Sequence, residues 1–256
     1  MTLLCDQATA VRALVGSADP GAVWAVGGPE GPQAGSEAGP ADEAFDVGGL
    51  TAVLALWPVI GALVDEGALH LHTPLTAYGD EASADTPDGT TAHHLLTHPG
   101  GAAALTRLAE HLSGSPLADL AATRVWRPLG MTGTRFTDAA LHAPLGDLVR
   151  FLRHVLAAAA PAPAGSTAPE GITEGITRAW ATESLRIRTG ELVPARGLLW
   201  QPAPHGVWTH HAPQDGGPAL WMSPRHHRWA VLLPTAVRSG LRTAFREAVF
   251  TPTSVM

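Results

Sequence analysis

From Leu50 to Glu66 the chain is apolar on nearly every side, and the run closes on Gly67. A helix without a polar stripe has no face to offer to water, so the run predicts a buried helix with a glycine cap, around which the rest of the chain must build a shell. Pro58, in its middle, predicts a kink or a missing backbone hydrogen bond. Thr51, Trp57, Pro58 and Gly61 interrupt the apolar stretch, which is too short for a bilayer, and no membrane span is expected.

The other elements follow from periodicity. Asp6 to Val15 reads as a short helix, Ala22 to Val26 as a strand closed by Gly27 and Gly28, and Pro29 to Glu43, rich in Gly, Pro and acid, as loop. Ser115 to Trp126 predicts a helix followed by a turn at Arg127 to Gly130. Asp147 to Ala159 predicts another, with Leu148, Phe151, Leu152, Val155 and Leu156 at helical spacing. Ala157 to Pro169 is Ala/Pro-rich and reads as a flexible connection. Four short Trp- and Val-bearing runs, Gly197 to Gln201, Gly206 to His210, Ala219 to Met222 and Arg228 to Leu233, predict an antiparallel meander, and Arg238 to Phe250 a closing helix. Helices in the middle with strands near both ends predict an α/β fold: an antiparallel sheet built from both termini and flanked by helices, with a mostly helical inserted lobe. In this reading residues 1–256 form one domain, with 1–75 and 185–256 as the α/β lobe and 76–184 as the helical lobe.

Composition removes several function classes. The net charge of −7 comes without a basic cluster, so no nucleic-acid partner is expected. The single cysteine, Cys5, cannot close an internal disulfide, and the first residues lack the basic and apolar pattern of a secretion signal, which together predict a cytoplasmic protein. The chain contains no lysine and no asparagine, and its abundance of Ala, Gly, Pro and Arg suggests a high-GC, actinobacterial type of genome. The missing lysine excludes every mechanism built on a lysine base or Schiff base. His94 and His98 are four apart, as two metal ligands on one helix face would be, but no glutamate completes the zinc-hydrolase pattern. No metal and no cofactor is expected.

Four segments, in order, carry a resemblance. FDVGGLTAVLAL at Phe45 to Leu56 resembles F-x-I-G-S-x-T-K-x-x-x-A, and LVDEGALHLHTPLTAY at Leu63 to Tyr78 resembles L-V-D-E-G-K-L-x-L-D-D-P-V-x-x-Y. HHLLTHPGG at His93 to Gly101 resembles R-H-L-L-T-H-T-S-G, and VWRPLGMTGTRF at Val125 to Phe136 resembles I-F-x-P-L-G-M-x-D-T-x-F. These are phrases of the serine β-lactamase and penicillin-binding-protein-like family, in its class C β-lactamase and esterase-like branch. That family uses a serine at a helix start, a lysine one turn later, a Tyr-x-Asn or Ser-x-Asn loop, and a Lys-Thr-Gly or His-x-Gly strand. Here Gly49 stands at the serine position and Ala52 at the lysine position, and the Tyr-x-Asn segment is largely missing. The best strand register puts His210, His211 and Ala212 on the Lys/His-Thr-Gly triplet, followed by Pro213, which has no N–H to give an oxyanion.

The resemblance thus implies a β-lactamase-like fold whose acyl-enzyme machinery is gone. What it leaves in the old cleft is His210 and His211 as proton carriers, with Asp215 or Asp46 to orient one of them. Because strand neighbours face opposite ways, only one of the two histidines is expected to reach the cleft. Trp208 and Trp221 would border a site suited to an apolar or polyketide-like small molecule, and the small Gly49 and Ala52 would enlarge it. The expected function is a natural-product biosynthetic enzyme running a non-covalent cyclisation or isomerisation. The alternatives are a ligand-binding or regulatory protein without catalysis, and a hydrolase using histidine-activated water.

Overall fold

In the computed structural model, which describes residues 5–36, 43–160, 175–191, 194–212 and 216–251, the apolar run is helical from Thr51 onward but not regular. Ala52–Leu56 is a π-helical turn that leads into the α-helix Trp57–Asp65. Pro58 explains the irregularity: its ring crowds the carbonyl of Leu54, and it has no N–H to pair with it. The widened turn accommodates the ring, and the indole Nε1 of Trp126 donates to the Leu54 oxygen at 2.9 Å. Every residue from Val53 to Gly61 is buried. Gly67 closes the helix in the left-handed region (φ +74°), its amide donating to Val64 at 3.0 Å.

In chain order the helices are α1 (Cys5–Ala18), α2 (Trp57–Asp65), α3 (Asp80–Ser83), α4 (Ala92–Thr97), α5 (Ala102–Ser113), α6 (Leu117–Ala121), α7 (Leu145–Ala159), α8 (Arg178–Ser184) and α9 (Leu241–Phe250). The strands are β1 (Val23–Gly28), β2 (Gly31–Gly35), β3 (Ala44–Asp46), β4 (Arg135–Thr137), β5 (Ala140–Pro144), β6 (Gln201–Ala203), β7 (Val207–His211), β8 (Ala219–Ser223) and β9 (Arg228–Leu233). Two compact units share them. The first comprises residues 1–50, 133–160 and 203–256, the second 51–132 and 161–202. These cuts differ from 75 and 184, because the buried helix following Leu50 packs against α5 and α6 and so belongs with them.

The sheet of the first unit runs β2-β1-β9-β8-β7-β6, with antiparallel β1–β9, β8–β9 and β7–β8 pairs joining the two ends of the chain as expected. On one face Val11 and Val15 of α1 and Leu241, Phe245 and Val249 of α9 cover Trp24, Val26, Trp221, Ala230 and Leu232. Trp24 and Trp221 both pack on Phe245, at 5.9 and 5.5 Å between ring centroids. Helix α7 packs against β1, β2, β8 and β9 through the apolar stripe read from its spacing.

Three local expectations are corrected. The Gly/Pro stretch after Gly28 contains strand β2, not only loop; glycines and an edge proline hid it. Gly27 does not end β1 but lies within it, where a Cβ would fall 2.2 Å from the Gly31 oxygen and 2.5 Å from the Trp229 ring. The run Gly197 to Gln201 becomes a strand only at Gln201, and the small sheet β3-β5-β4 has no counterpart in the hydrophobic pattern. The Ala/Pro connection continues helix α7 as far as Ala159, and its remainder after Ala160 lies outside the described residues.

Asp19 locks the end of α1 to the segment after β9. It is buried, and its carboxylate accepts the Thr235 amide at 2.8 Å, the Ala236 amide at 3.2 Å and the Thr235 hydroxyl. Burial alone would raise its pKa, but these donors and the charge of Arg238 outweigh burial and hold it below the ordinary value. A carboxyl with a depressed folded pKa stabilises above its unfolded value and loses that contribution as the pH falls through the folded one. Asp19→Asn is therefore expected to lower the melting temperature at neutral pH and to flatten the acid limb below about pH 4, read by thermal melts across pH.

Candidate functional site

β3 runs straight into the 3-10 turn Gly48–Leu50. Asp46 builds that turn: its Oδ1 accepts the Gly48 amide at 2.8 Å, while the Val47 amide reaches Leu141 and the Leu50 amide closes on Val47. Gly49, which the resemblance puts at the serine position, lies against the end of β7. A Cβ added to it would stand 2.4 Å from the Ala212 Cβ and 3.0 Å from the Ala212 Cα. Gly49 therefore does not enlarge a cleft; the methyl of Ala212 already occupies the space a side chain would need.

Ala212 itself is fixed on three sides. It is 2% exposed, and its amide donates to Pro218 at 3.0 Å. Its carbonyl accepts two hydrogen bonds, one from the Arg242 guanidinium at 3.0 Å and one from His211 Nδ1 at 2.9 Å. A carbonyl can only accept, so His211 carries a proton on Nδ1. Arg242, on α9 and thirty residues from Ala212, had no sequence signal, because nothing in the local pattern of a terminal helix says which arginine reaches back to a strand end.

The β7–β8 register separates the two histidines. His210 is paired with Leu220 and Trp208 with Met222, whereas His211 is paired with Ala219 and Thr209 with Trp221. Ala219, Trp221 and Val207 belong to the core beneath α1 and α9, so His211 stands on that side and His210 on the other, next to Trp208. Trp221 is 3% exposed and packs on Phe245, as a core residue does. Trp208 and His210 are partly buried. The structure thus brings together Gly49, Ala212 and the end of β7, places Trp208 with His210, and assigns Trp221 to the core. Ala52 is partly buried at the start of the π turn, in the second unit. Pro213 and Asp215 lie outside the described residues.

No grouping of three or more His, Cys, Asp or Glu that would hold a metal ion occurs among the described residues, nor is any described helix long and apolar enough to cross a membrane.

The first unit thus holds a sheet built from both chain ends, and the largely helical second unit interrupts it in sequence. The chain has the β-lactamase and penicillin-binding-protein-like fold, as comparison with solved structures shows. A putative β-lactamase from Bacteroides dorei superposes with a TM-score of 0.73 at 14% identity, covering 98% of this chain and 100% of that one. A D-stereospecific amidohydrolase from a Streptomyces species gives 0.71 at 16% identity, over 97% and 98% of the two chains. A class C β-lactamase from Rhodobacter sphaeroides gives 0.71 at 13%, over 96% and 99%. No protein-family model and no curated sequence matches the chain.

Proposed function

We propose that this protein keeps the β-lactamase fold but forms no acyl-enzyme, and that it acts on a small, largely apolar molecule without a covalent intermediate. The observation that carries this reading is the contact between Gly49 and Ala212: at the position where the resemblance calls for a nucleophile there is neither a side chain nor room for one. The absence of lysine from the whole chain supports it, since no residue can play the usual base. His210 is the group we assign to proton transfer in a cyclisation or isomerisation. It stands away from the α1–α9 core beside Trp208, whereas the His211 ring is committed to the Ala212 carbonyl.

A second reading, ligand binding without catalysis, is favoured by that same carbonyl. The backbone acceptor at the end of β7 is already shared by Arg242 and His211, which is how a closed structural site looks.

Intact-mass spectrometry after incubation with a β-lactam probe and an activated ester tests the shared premise: no adduct is expected. Acylation of any serine would sink both readings. With a substrate in hand, His210→Ala separates them, because loss of a general acid–base costs about 10²-fold or more in turnover with ligand affinity retained.

A further inference from the structure

The second unit contains a concentration of histidine and arginine that plays no part in the reading above. His72, in the loop after Leu71, and His93, at the start of α4, stack with ring centroids 4.7 Å apart and planes tilted by 33°. The backbone fixes the pair: the His93 amide donates to Leu71 at 2.9 Å, and Pro74 bridges to Thr91. His94 lies 6.4 Å from His93, ring to ring, and its Nδ1 accepts the Thr91 amide, so its proton sits on Nε2. His98 Nδ1 donates to the His94 carbonyl at 3.0 Å. Arg188, in the segment after α8, lies within electrostatic reach of His93.

The charges here are not balanced locally. Glu183 is the acid bonded to Arg188, and it is shared, since Arg186 holds its other oxygen at 3.0 Å. Burial first, and then the unfavourable electrostatics of His72, Arg188, His94 and His98, hold His93 below the ordinary histidine value. The charged groups of α5, which packs on α4, are engaged elsewhere: Arg107 on the Ala84 carbonyl, Glu110 on the Leu117 amide, and His111 on Glu81 and the Tyr78 carbonyl. The Nε–H of Arg188 is buried and meets no acceptor among the described residues.

We propose that the cluster of His72, His93, His94, His98 and Arg188 is a binding site for a small oxyanion, such as a phosphate or carboxylate group, whose binding is coupled to proton uptake. Stacked imidazoles beside an arginine resist protonation while the positive charge is uncompensated, and an anion in contact with them reverses that preference. Linkage then requires the reciprocal effect: protonation strengthens anion binding. A cation site fits less well, because a metal would add charge to a cluster already in excess.

Inorganic phosphate is the probe, with acetate in a parallel arm and Zn²⁺ as a third. Titrations of the full chain at constant ionic strength are followed by calorimetry and by the histidine ring resonances. Phosphate is expected to bind at least about tenfold more tightly near pH 5.5 than near pH 8, with net proton uptake and an upward move of the His93 titration. Comparable binding of acetate would assign the site to oxyanions in general; phosphate alone would narrow it to phosphate groups. His72→Gln, at an exposed position, is expected to weaken phosphate binding and cut the proton uptake while leaving the melting temperature in phosphate-free buffer unchanged. Ring resonances that ignore phosphate near pH 5.5, equal binding by His72→Gln, or a response to Zn²⁺ alone would each overturn the proposal.

Discussion

Gly49→Ala is expected to destabilise the protein, and Gly49→Ser more so, although both replace the most flexible residue by a stiffer one. The added carbon would sit 2.4 Å from the Ala212 methyl, and Ala212 cannot step aside: its amide is paired to Pro218 and its carbonyl to Arg242 and His211. Forcing extra atoms into a packed site costs about 1–3 kcal/mol, and a hydroxyl adds the need for a partner. Ala212→Gly should relieve the collision. The pair Gly49→Ala with Ala212→Gly is therefore expected to be clearly more stable than the sum of the single changes predicts, by a coupling of about 1–3 kcal/mol in denaturant unfolding. For the same reason Gly49→Ser combined with Ala52→Lys should yield no measurable β-lactam or ester hydrolysis. If Gly49→Ser were as stable as the parent and became acylated, the strand end would be mobile enough to admit a nucleophile, and the proposed function would lose its main support.

The contrast between that contact and the motif that led to it shows what a sequence carries. Burial of the run from Val53 to Gly61, the strand pairing of both chain ends and the stripe of α7 are legible because they depend on hydrophobic period, which each segment states by itself. The position of Gly49 beside the strand end was legible only through the resemblance, and the filling of the gap between them was not. Whether a small residue leaves a cavity or admits a neighbour depends on a contact between positions 49 and 212, about which neither segment is informative alone. The same holds for Trp126, whose indole supplies the hydrogen bond that Pro58 withholds from Leu54. β2 was missed for the opposite reason: its Gly31-Pro32-Gln33-Ala34-Gly35 sequence has little strand propensity, and pairing with β1 overrides it. The register of β7, by contrast, puts His210 and His211 on opposite faces of the sheet, the alternation that neighbouring strand residues are expected to show.

Gly61→Ala provides the second strong test, because two rules predict opposite signs. Gly61 is in the middle of α2, and by helix propensity alone an alanine there should stabilise the protein by about 1 kcal/mol. Packing argues the reverse. A Cβ at Gly61 would lie 2.4 Å from Cδ1 and 2.5 Å from Nε1 of Trp180, an indole that is 3% exposed. Trp180 has little freedom to retreat, since its ring centroid lies 6.1 Å from that of Trp57, and Trp57 is held in turn by its Nε1 bond to Ser184 at 2.9 Å and by Trp200 at 5.9 Å. A rigid aromatic cluster transmits the overlap rather than absorbing it, so the cost of about 1–3 kcal/mol or more for overpacking should exceed the propensity gain. Net destabilisation is expected in both thermal and denaturant unfolding. Combining Gly61→Ala with Trp180→Leu, which takes away the indole, should bring back part of the helical gain relative to Trp180→Leu alone. A Gly61→Ala protein more stable than the parent would show that the indole does not rest on the helix backbone, and that the tryptophan cluster is looser than its geometry indicates.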